Sequence, residues 1–293
     1  MSKIVKIGKF NVGDPSHCFI IAEIGIIHNG DTALAKKLIK MAHDLGADAV
    51  KFQKRTVDIV YSKHELEMER PNPFGETNGD LKRGLEFGYR EYQEIDNYCK
   101  SLDMLWFASC WDEESVDFIE RFNPPCYKIS SASLTDDDLL LYTKSKGRPI
   151  LLATGMSTQN EIDHAVELLG EDNLVLMHCT STYPSLESEL NLNVIPEYIK
   201  KYSCPIGYSG HEKGVFPSVL AASMGACAVE RHITTDRTLW GSDHPASLEP
   251  DGLRRLVRDI RLLNTIKGDG KKVVYESEIP IIKKLRRKKT VQC

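Results

Sequence analysis

The chain has 293 residues, 41% apolar and 27% charged, and its charge balance of 38 − 42 = −4 is too small and too mixed to suggest a nucleic-acid partner. That length suffices for one large domain with a substantial core. No apolar run approaches a membrane span, the opening MSKIVKIGKF lacks a signal segment, and eight cysteines without a CxxC pair read as buried thiols, so the expected setting is reducing cytoplasm without a membrane partner.

In chain order, IVKIGKFNVG and the turn at Asp14-Pro15 predict an N-terminal hairpin within residues 1–17. CFIIAEIG (18–25) is a continuous apolar run, the mark of a parallel strand covered on both faces. Asp31 then caps a helical pattern, TALAKKLIKMAHDLG, and AVKFQK (49–54) is the second buried strand. Further strands are predicted at 106–109, 126–131, 149–155, 174–180, 205–210 and 227–234. Helical patterns fall at 90–102, 113–121, 137–146, 158–169, 192–201, 216–225 and 250–265.

Eight strands alternating with eight helices predict an α/β fold, a (β/α)8 TIM barrel occupying a single domain, 1–293, with 266–293 as a C-terminal extension. A doubly wound open sheet is the alternative, but GIIHNG after the first strand is not the glycine-rich dinucleotide fingerprint. One long connection, 55–89, reads as a lid or binding loop. The basic run Lys283, Lys284, Arg286, Arg287, Lys288 and Lys289 reads as a solvated tail.

A barrel carries its active site at the C-terminal ends of its strands, and the residues predicted there are strongly polar. They are Glu23, His28, Lys51, Gln53, Ser109, Lys128, Ser130, Ser131, Ser133, Thr154, His178, Thr180, Tyr183, Ser209, His211, Arg231 and His232. His211 and His232 each end an apolar run, with a helical segment between, so neighbouring parallel strands would bring both imidazoles to one end of the sheet. Two imidazoles suit Mn²⁺, Fe²⁺, Co²⁺ or Zn²⁺, although each alone could simply be a hydrogen-bonded strand-end residue. Lys51 and Lys128 sit in apolar strands, which is costly unless each ammonium meets water or an anion. Two of them beside hydroxyls and the Gln53 amide point to a small, multiply charged anion. Glu23 and Asp243 are carboxylates placed to move protons or hold a water, or else to pair with Lys51 or Arg231.

The motifs then run in a recognisable order: AEIG-x-x-HNG (22–30), KFQ (51–53), FASCWDEESVDF (107–118), YKISS (127–131), ATGMS (153–157), HCTSTYP (178–184), YSGH (208–211), ERH (230–232) and SDH (242–244). Together they resemble the sialic acid synthase family, which condenses phosphoenolpyruvate with an N-acetylated hexosamine to form a 2-keto acid. The resemblance implies a divalent metal, Mn²⁺ first with Mg²⁺, Co²⁺, Fe²⁺ or Zn²⁺ as alternatives, on His211 and His232. It implies phosphoenolpyruvate on Lys51, Gln53, Ser109, Lys128, Ser131 and Ser209, sugar contacts at Ser181 and Tyr183, a substrate-binding place for Thr154, and catalytic roles for Glu23, Asp243 and Lys128. The implied acceptor is a sugar aldehyde, N-acetylmannosamine-like or a related aldose.

Several positions depart from the family pattern. Ser133 stands where an acid is usual, Ile27 and Ser181 replace asparagines, Ala153 a serine and Gly210 an aspartate, which leaves substrate choice open. Family members usually continue into a small antifreeze-like domain whose arginine reaches the partner subunit's site. With the sequence stopping at Cys293, the expectation is that another element such as 55–89 closes the site, or that the acceptor needs no such arginine. A homodimer is expected less firmly than in the family, since that domain is what reaches the partner subunit. The rival readings are a Schiff-base keto-acid aldolase acting through Lys128 or Lys51, and a non-catalytic sugar-binding barrel.

Overall fold

A short antiparallel hairpin opens the chain, β1 (Val5–Ile7) against β2 (Phe10–Val12), in a computed structural model that describes residues 4–288. Then come β3 (Phe19–Gly25), β4 (Ala49–Lys54), the small strands β5 (Glu69–Asn72) and β6 (Gly75–Thr77), and β7 (Leu105–Cys110). The remaining strands are β8 (Tyr127–Ile129), β9 (Ile150–Ala153), β10 (Leu174–Cys179), β11 (Ile206–Gly210) and β12 (Ala228–His232). Eight of them close in the order β10-β11-β12-β3-β4-β7-β8-β9, every pair parallel, with helices in the crossovers. This is the (β/α)8 barrel, with the N-terminal hairpin beside it.

Alternation of side chains along each strand divides the barrel interior into a floor and a mouth. The first inward positions are apolar: Phe19 and Ile21 on β3, Ala49 on β4, Phe107 on β7, Leu151 on β9, Val175 and Met177 on β10, and Ala228 on β12. Val5, Ile7 and Val12 of the hairpin join the same cluster. The next positions inward on those strands are Glu23, Lys51, Ser109, Cys179 and Glu230, all buried. Each large apolar side chain in the floor contributes on the order of 1.5–3 kcal/mol by leaving water, which offsets the cost of holding charge one layer above.

Helix starts follow the local chemistry. Asp31 Oδ1 accepts from the Ala33 amide at 2.7 Å and caps helix Thr32–Asp44. Asp112 caps helix Glu113–Glu120 through the Ser115 amide at 2.8 Å. The 55–89 stretch is not an irregular loop. It folds into helices Val57–Val60, Lys63–Glu67 and Asn78–Leu85 around the β5–β6 hairpin, with capping boxes at Ser62/Glu65 and Thr77/Asp80. Phe74 from this excursion packs edge-on against Trp240 at 6.4 Å, and Asn29 donates to the Trp240 carbonyl at 2.9 Å.

Two compact units divide between Arg261 and Leu262. The second, described to residue 288, contains the end of helix Pro250–Lys267, a 3-10 turn Glu276–Glu278 and helix Ile279–Leu285. Lys283, Lys284, Arg286, Arg287 and Lys288 are exposed, whereas Lys289 and Cys293 lie outside the described residues. Among the described residues Cys99, Cys110, Cys126, Cys179 and Cys227 are free thiols, and no helix there is long and apolar enough to cross a membrane.

Candidate active site

A cavity of about 200 Å³ opens at the C-terminal ends of the strands. Its lining includes Glu23, Lys51, Gln53, Ser109, Lys128, Ser131, Ser181, Tyr183, Ser209, His211 and His232. Thr154 is not among the lining residues: its hydroxyl donates to the Met177 carbonyl at 3.1 Å. Asp243 stands just behind the lining, where its Oδ2 is 3.8 Å from His232 Nδ1 and its Oδ1 accepts from Ser242. Ser133 is buried beside Ser130, their hydroxyls 3.4 Å apart.

The cavity floor carries two lysines and two glutamates in one contiguous group. Lys51 Nζ lies 2.8 Å from Glu23 Oε1, 2.9 Å from Ser109 Oγ and 3.7 Å from Glu230 Oε1. Lys128 Nζ lies 3.6 Å from the same Glu230 oxygen, which also accepts from Ser209 Oγ at 3.3 Å. Gln53 donates to Glu23 Oε1 at 3.0 Å, and its own carbonyl oxygen accepts from Arg55. Burial pushes the Glu23 carboxyl up to about 7, although Lys51 pulls the other way. Burial likewise opposes ionisation of Glu230, but Lys128 and Lys51 outweigh it and hold that carboxyl down at about 2. Lys128 is held below the ordinary lysine range by burial, whereas Lys51 is raised because Glu23 and Glu230 outweigh its burial.

Glu230 was not among the site residues read from the sequence. The signal was present: on β12, residues 228, 230 and 232 share one face, so a strand that aims His232 into the barrel must aim Glu230 there too. ERH was read for Arg231 and His232 and not for its glutamate.

Above this floor stand the two histidines. Their ring centroids are 5.5 Å apart, and Tyr183 lies against both, 4.1 Å from His211 and 5.7 Å from His232. His211 Nδ1 is 2.9 Å from the Thr180 carbonyl; a donated proton there fixes the tautomer and leaves Nε2 for a ligand. His232 Nδ1 is buried and has no hydrogen-bond partner, and burial holds this imidazole at about 3, neutral at any ordinary pH. His232 is neutral with an orphaned nitrogen, whereas at His211 burial opposes the proton but Cys179 outweighs it and raises the imidazole above its ordinary range, so a divalent cation shared by the pair would displace that proton. Among the described residues no group of three or more His, Cys, Asp or Glu side chains closes to metal-ligand spacing, so further positions would fall to water or substrate.

The arrangement therefore combines cationic donors at the bottom of the cavity, hydroxyls around them, and an imidazole pair at the rim. On this geometry the comparisons with known proteins bear directly. The NeuB family profile matches residues 38–272. N-acetylneuraminate-9-phosphate synthase of Homo sapiens is 40% identical over 281 residues, 94% of this chain and 78% of that protein. N,N'-diacetyllegionaminic acid synthase of Legionella pneumophila is 35% identical over 290 residues, 96% of this chain and 82% of that protein. The crystal structure of N-acetylneuraminic acid synthetase from Leptospira borgpetersenii superposes with a TM-score of 0.84 at 32% identity, covering 98% of this chain and 99% of that one.

Proposed function

Because this chain belongs to the NeuB family, we propose that it is a synthase that condenses phosphoenolpyruvate with a sugar aldehyde to give a 2-keto-3-deoxy sugar acid and inorganic phosphate. The observation that carries the proposal is the pair Lys51 and Lys128, fully buried in one cavity with Ser109, Ser131 and Ser209. Two desolvated ammonium groups ringed by hydroxyls suit a ligand with several negative charges, such as a phosphorylated enol acid.

In the proposed reaction, C3 of phosphoenolpyruvate bonds to the aldehyde carbon, whose oxygen takes a proton and becomes a hydroxyl. Water adds at C2, and the tetrahedral centre expels phosphate by cleavage of its C–O bond, leaving the 2-keto acid. Lys51 and Lys128 hold the carboxylate and phosphate, and Ser109, Ser131 and Ser209 donate to the remaining oxygens. Glu23, poised near neutrality by burial, takes the proton of the adding water at C2. Tyr183 and Ser181 line the acceptor side, and Asp243 places a carboxylate 3.8 Å behind His232. A divalent cation, Mn²⁺ first, would be held by His211 and His232 and would supply Lewis-acid polarisation of the aldehyde oxygen. Five free thiols, Cys99, Cys110, Cys126, Cys179 and Cys227, support a reducing, cytoplasmic setting.

The test is a panel of aldoses and N-acetyl hexosamines, free and phosphorylated, incubated with phosphoenolpyruvate and Mn²⁺. Phosphate release that requires an acceptor, with a keto acid of the summed mass, is the expected result. Release at the same rate without acceptor, or none with any sugar, would overturn the reading. Lys128 supports a second reading, since burial favours the free amine that a Schiff-base aldolase needs. Borohydride with pyruvate would trap an adduct on such an aldolase and none on the synthase.

A further inference from the structure

Directly behind the two histidines, on the outer face of the same strands, lies an ion pair that the reaction does not use. Arg231 and Glu212 are each the chain neighbour of a histidine, and both are essentially inaccessible to water. Arg231 Nη1 is 2.8 Å from Glu212 Oε1, and Nη2 donates to the Glu212 carbonyl. Nη1 also donates to the Gly214 carbonyl at 2.8 Å and to Ser218 Oγ at 3.0 Å. Both carboxylate oxygens are further engaged: Ser218 donates to Oε1 at 2.7 Å and Tyr208 to Oε2 at 2.8 Å.

Two features say what this cluster is for. The β11–β12 ladder runs through Gly210↔Arg231 and stops there, so His211 stands one residue beyond the last register pair. Its backbone is held instead by the Ser185 amide, and its ring by Thr180. The clamp takes over where the ladder ends. Second, buried ion pairs contribute little net stability compared with apolar residues of the same shape, whereas they fix geometry through directional bonds. Six hydrogen bonds or ionic contacts converging here fix the β11 end to the β12 end at the point where the two imidazoles leave the strands.

We infer that Arg231 and Glu212 are positioning residues that set the spacing of His211 and His232 for a shared divalent cation. This rests on the metal assignment proposed above. A histidine pair without the clamp would keep its ligand atoms and lose their fixed separation; a loss of ligand placement comparable to that from removing a ligand's own hydrogen-bonded partner would weaken metal binding by about 10–100-fold.

The experiment is a titration of the full chain with Mn²⁺, without substrate, followed by electron paramagnetic resonance, on wild type, E212Q, R231K and E212L/R231M. The double variant removes both charges together and so avoids a stranded buried ion; E212Q keeps the side-chain shape if the double variant does not fold. A folded E212L/R231M or E212Q binding Mn²⁺ about 10–100-fold more weakly, with R231K between it and wild type, supports the inference. The phosphoenolpyruvate affinity of every metal-free variant and the thermal melting of R231K and E212L/R231M, measured on the same samples, should stay near wild type, while E212Q, which leaves the Arg231 charge uncompensated, should melt lower. Unchanged Mn²⁺ affinity in the folded variants overturns it. A wild-type chain that binds no Mn²⁺ overturns the metal assignment itself and the inference with it.

Discussion

Lys51 and Glu23 meet at 2.8 Å on adjacent strands with both side chains closed off from solvent. Above about pH 7, where Glu23 is ionised, each is the other's nearest counter-charge, so removing one there strands an ion in a medium that cannot solvate it. In a buffer above that pH K51M should therefore lose about 3–5 kcal/mol of unfolding free energy, the usual cost of breaking a buried pair. K51M/E23Q, which removes both charges, should recover much of that loss. Urea unfolding monitored by circular dichroism measures both; a double variant no more stable than K51M would show that the pair is not the coupled unit described.

The same carboxyl makes stability depend on pH with a definite sign. In the folded chain Glu23 keeps its proton up to about 7, against an ordinary value of 4.5. Between those two values the folded state binds more protons than the unfolded one, so this group's contribution to stability declines as pH rises through that window. Glu230, held down near 2, acts in the opposite sense and only below 4.5. From pH 5 to 7.5 the melting temperature of wild type should thus fall relative to that of E23Q. Parallel melting curves across the range would remove Glu23 as the titrating group.

What the sequence could reveal of this molecule depended on how far each signal was local. Continuous apolar runs and helix caps such as Asp31 are local, and all eight barrel strands were legible from them. The 55–89 excursion was read as a loop because its elements are short and polar, although Ser62-x-x-Glu65 and Thr77-x-x-Asp80 were visible capping boxes. Whether a strand-end polar group enters the cavity is a question of neighbours. Thr154 gives its hydroxyl to a carbonyl on β10, which strand spacing alone does not reveal. Glu230 was legible by alternation, but its place between two lysines came only from the closure that brings β12 opposite β8.

If His211 and His232 hold the cation, chelation should stop phosphate release and added Mn²⁺ should restore it. H211A and H232A should each weaken Mn²⁺ binding beyond the about 10–100-fold expected for an outer-shell change, because a ligand itself is lost. Calorimetric titration of the metal-free chains provides the comparison. Activity undiminished by chelator, in a chain shown to be free of metal, would sink the role given to the histidines.

Gly155 carries the last prediction, because its lack of a side chain is what lets two hydroxyls converge. A Cβ there would stand 2.1 Å from Ser181 Oγ and 2.8 Å from Ser131 Oγ, while the Gly155 amide donates to Ser131 Oγ at 3.0 Å. The two hydroxyls end short rotatable side chains and can turn away, but Ser181 Cβ, 3.1 Å from the new Cβ, does not rotate, so G155A should also need a shift of a few tenths of an ångström between the 155 and 181 segments. The melting temperature should change by only a few degrees. Ser131 lies on the proposed phosphoenolpyruvate side and Ser181 on the acceptor side, so the KM for each substrate should rise. Losing one neutral hydrogen bond costs about 1 kcal/mol, which corresponds to roughly a fivefold fall in kcat/KM for each substrate. Steady-state kinetics with each substrate varied in turn decides it: a rise confined to one KM would assign both hydroxyls to that substrate, and no change in either would place them outside the reacting complex.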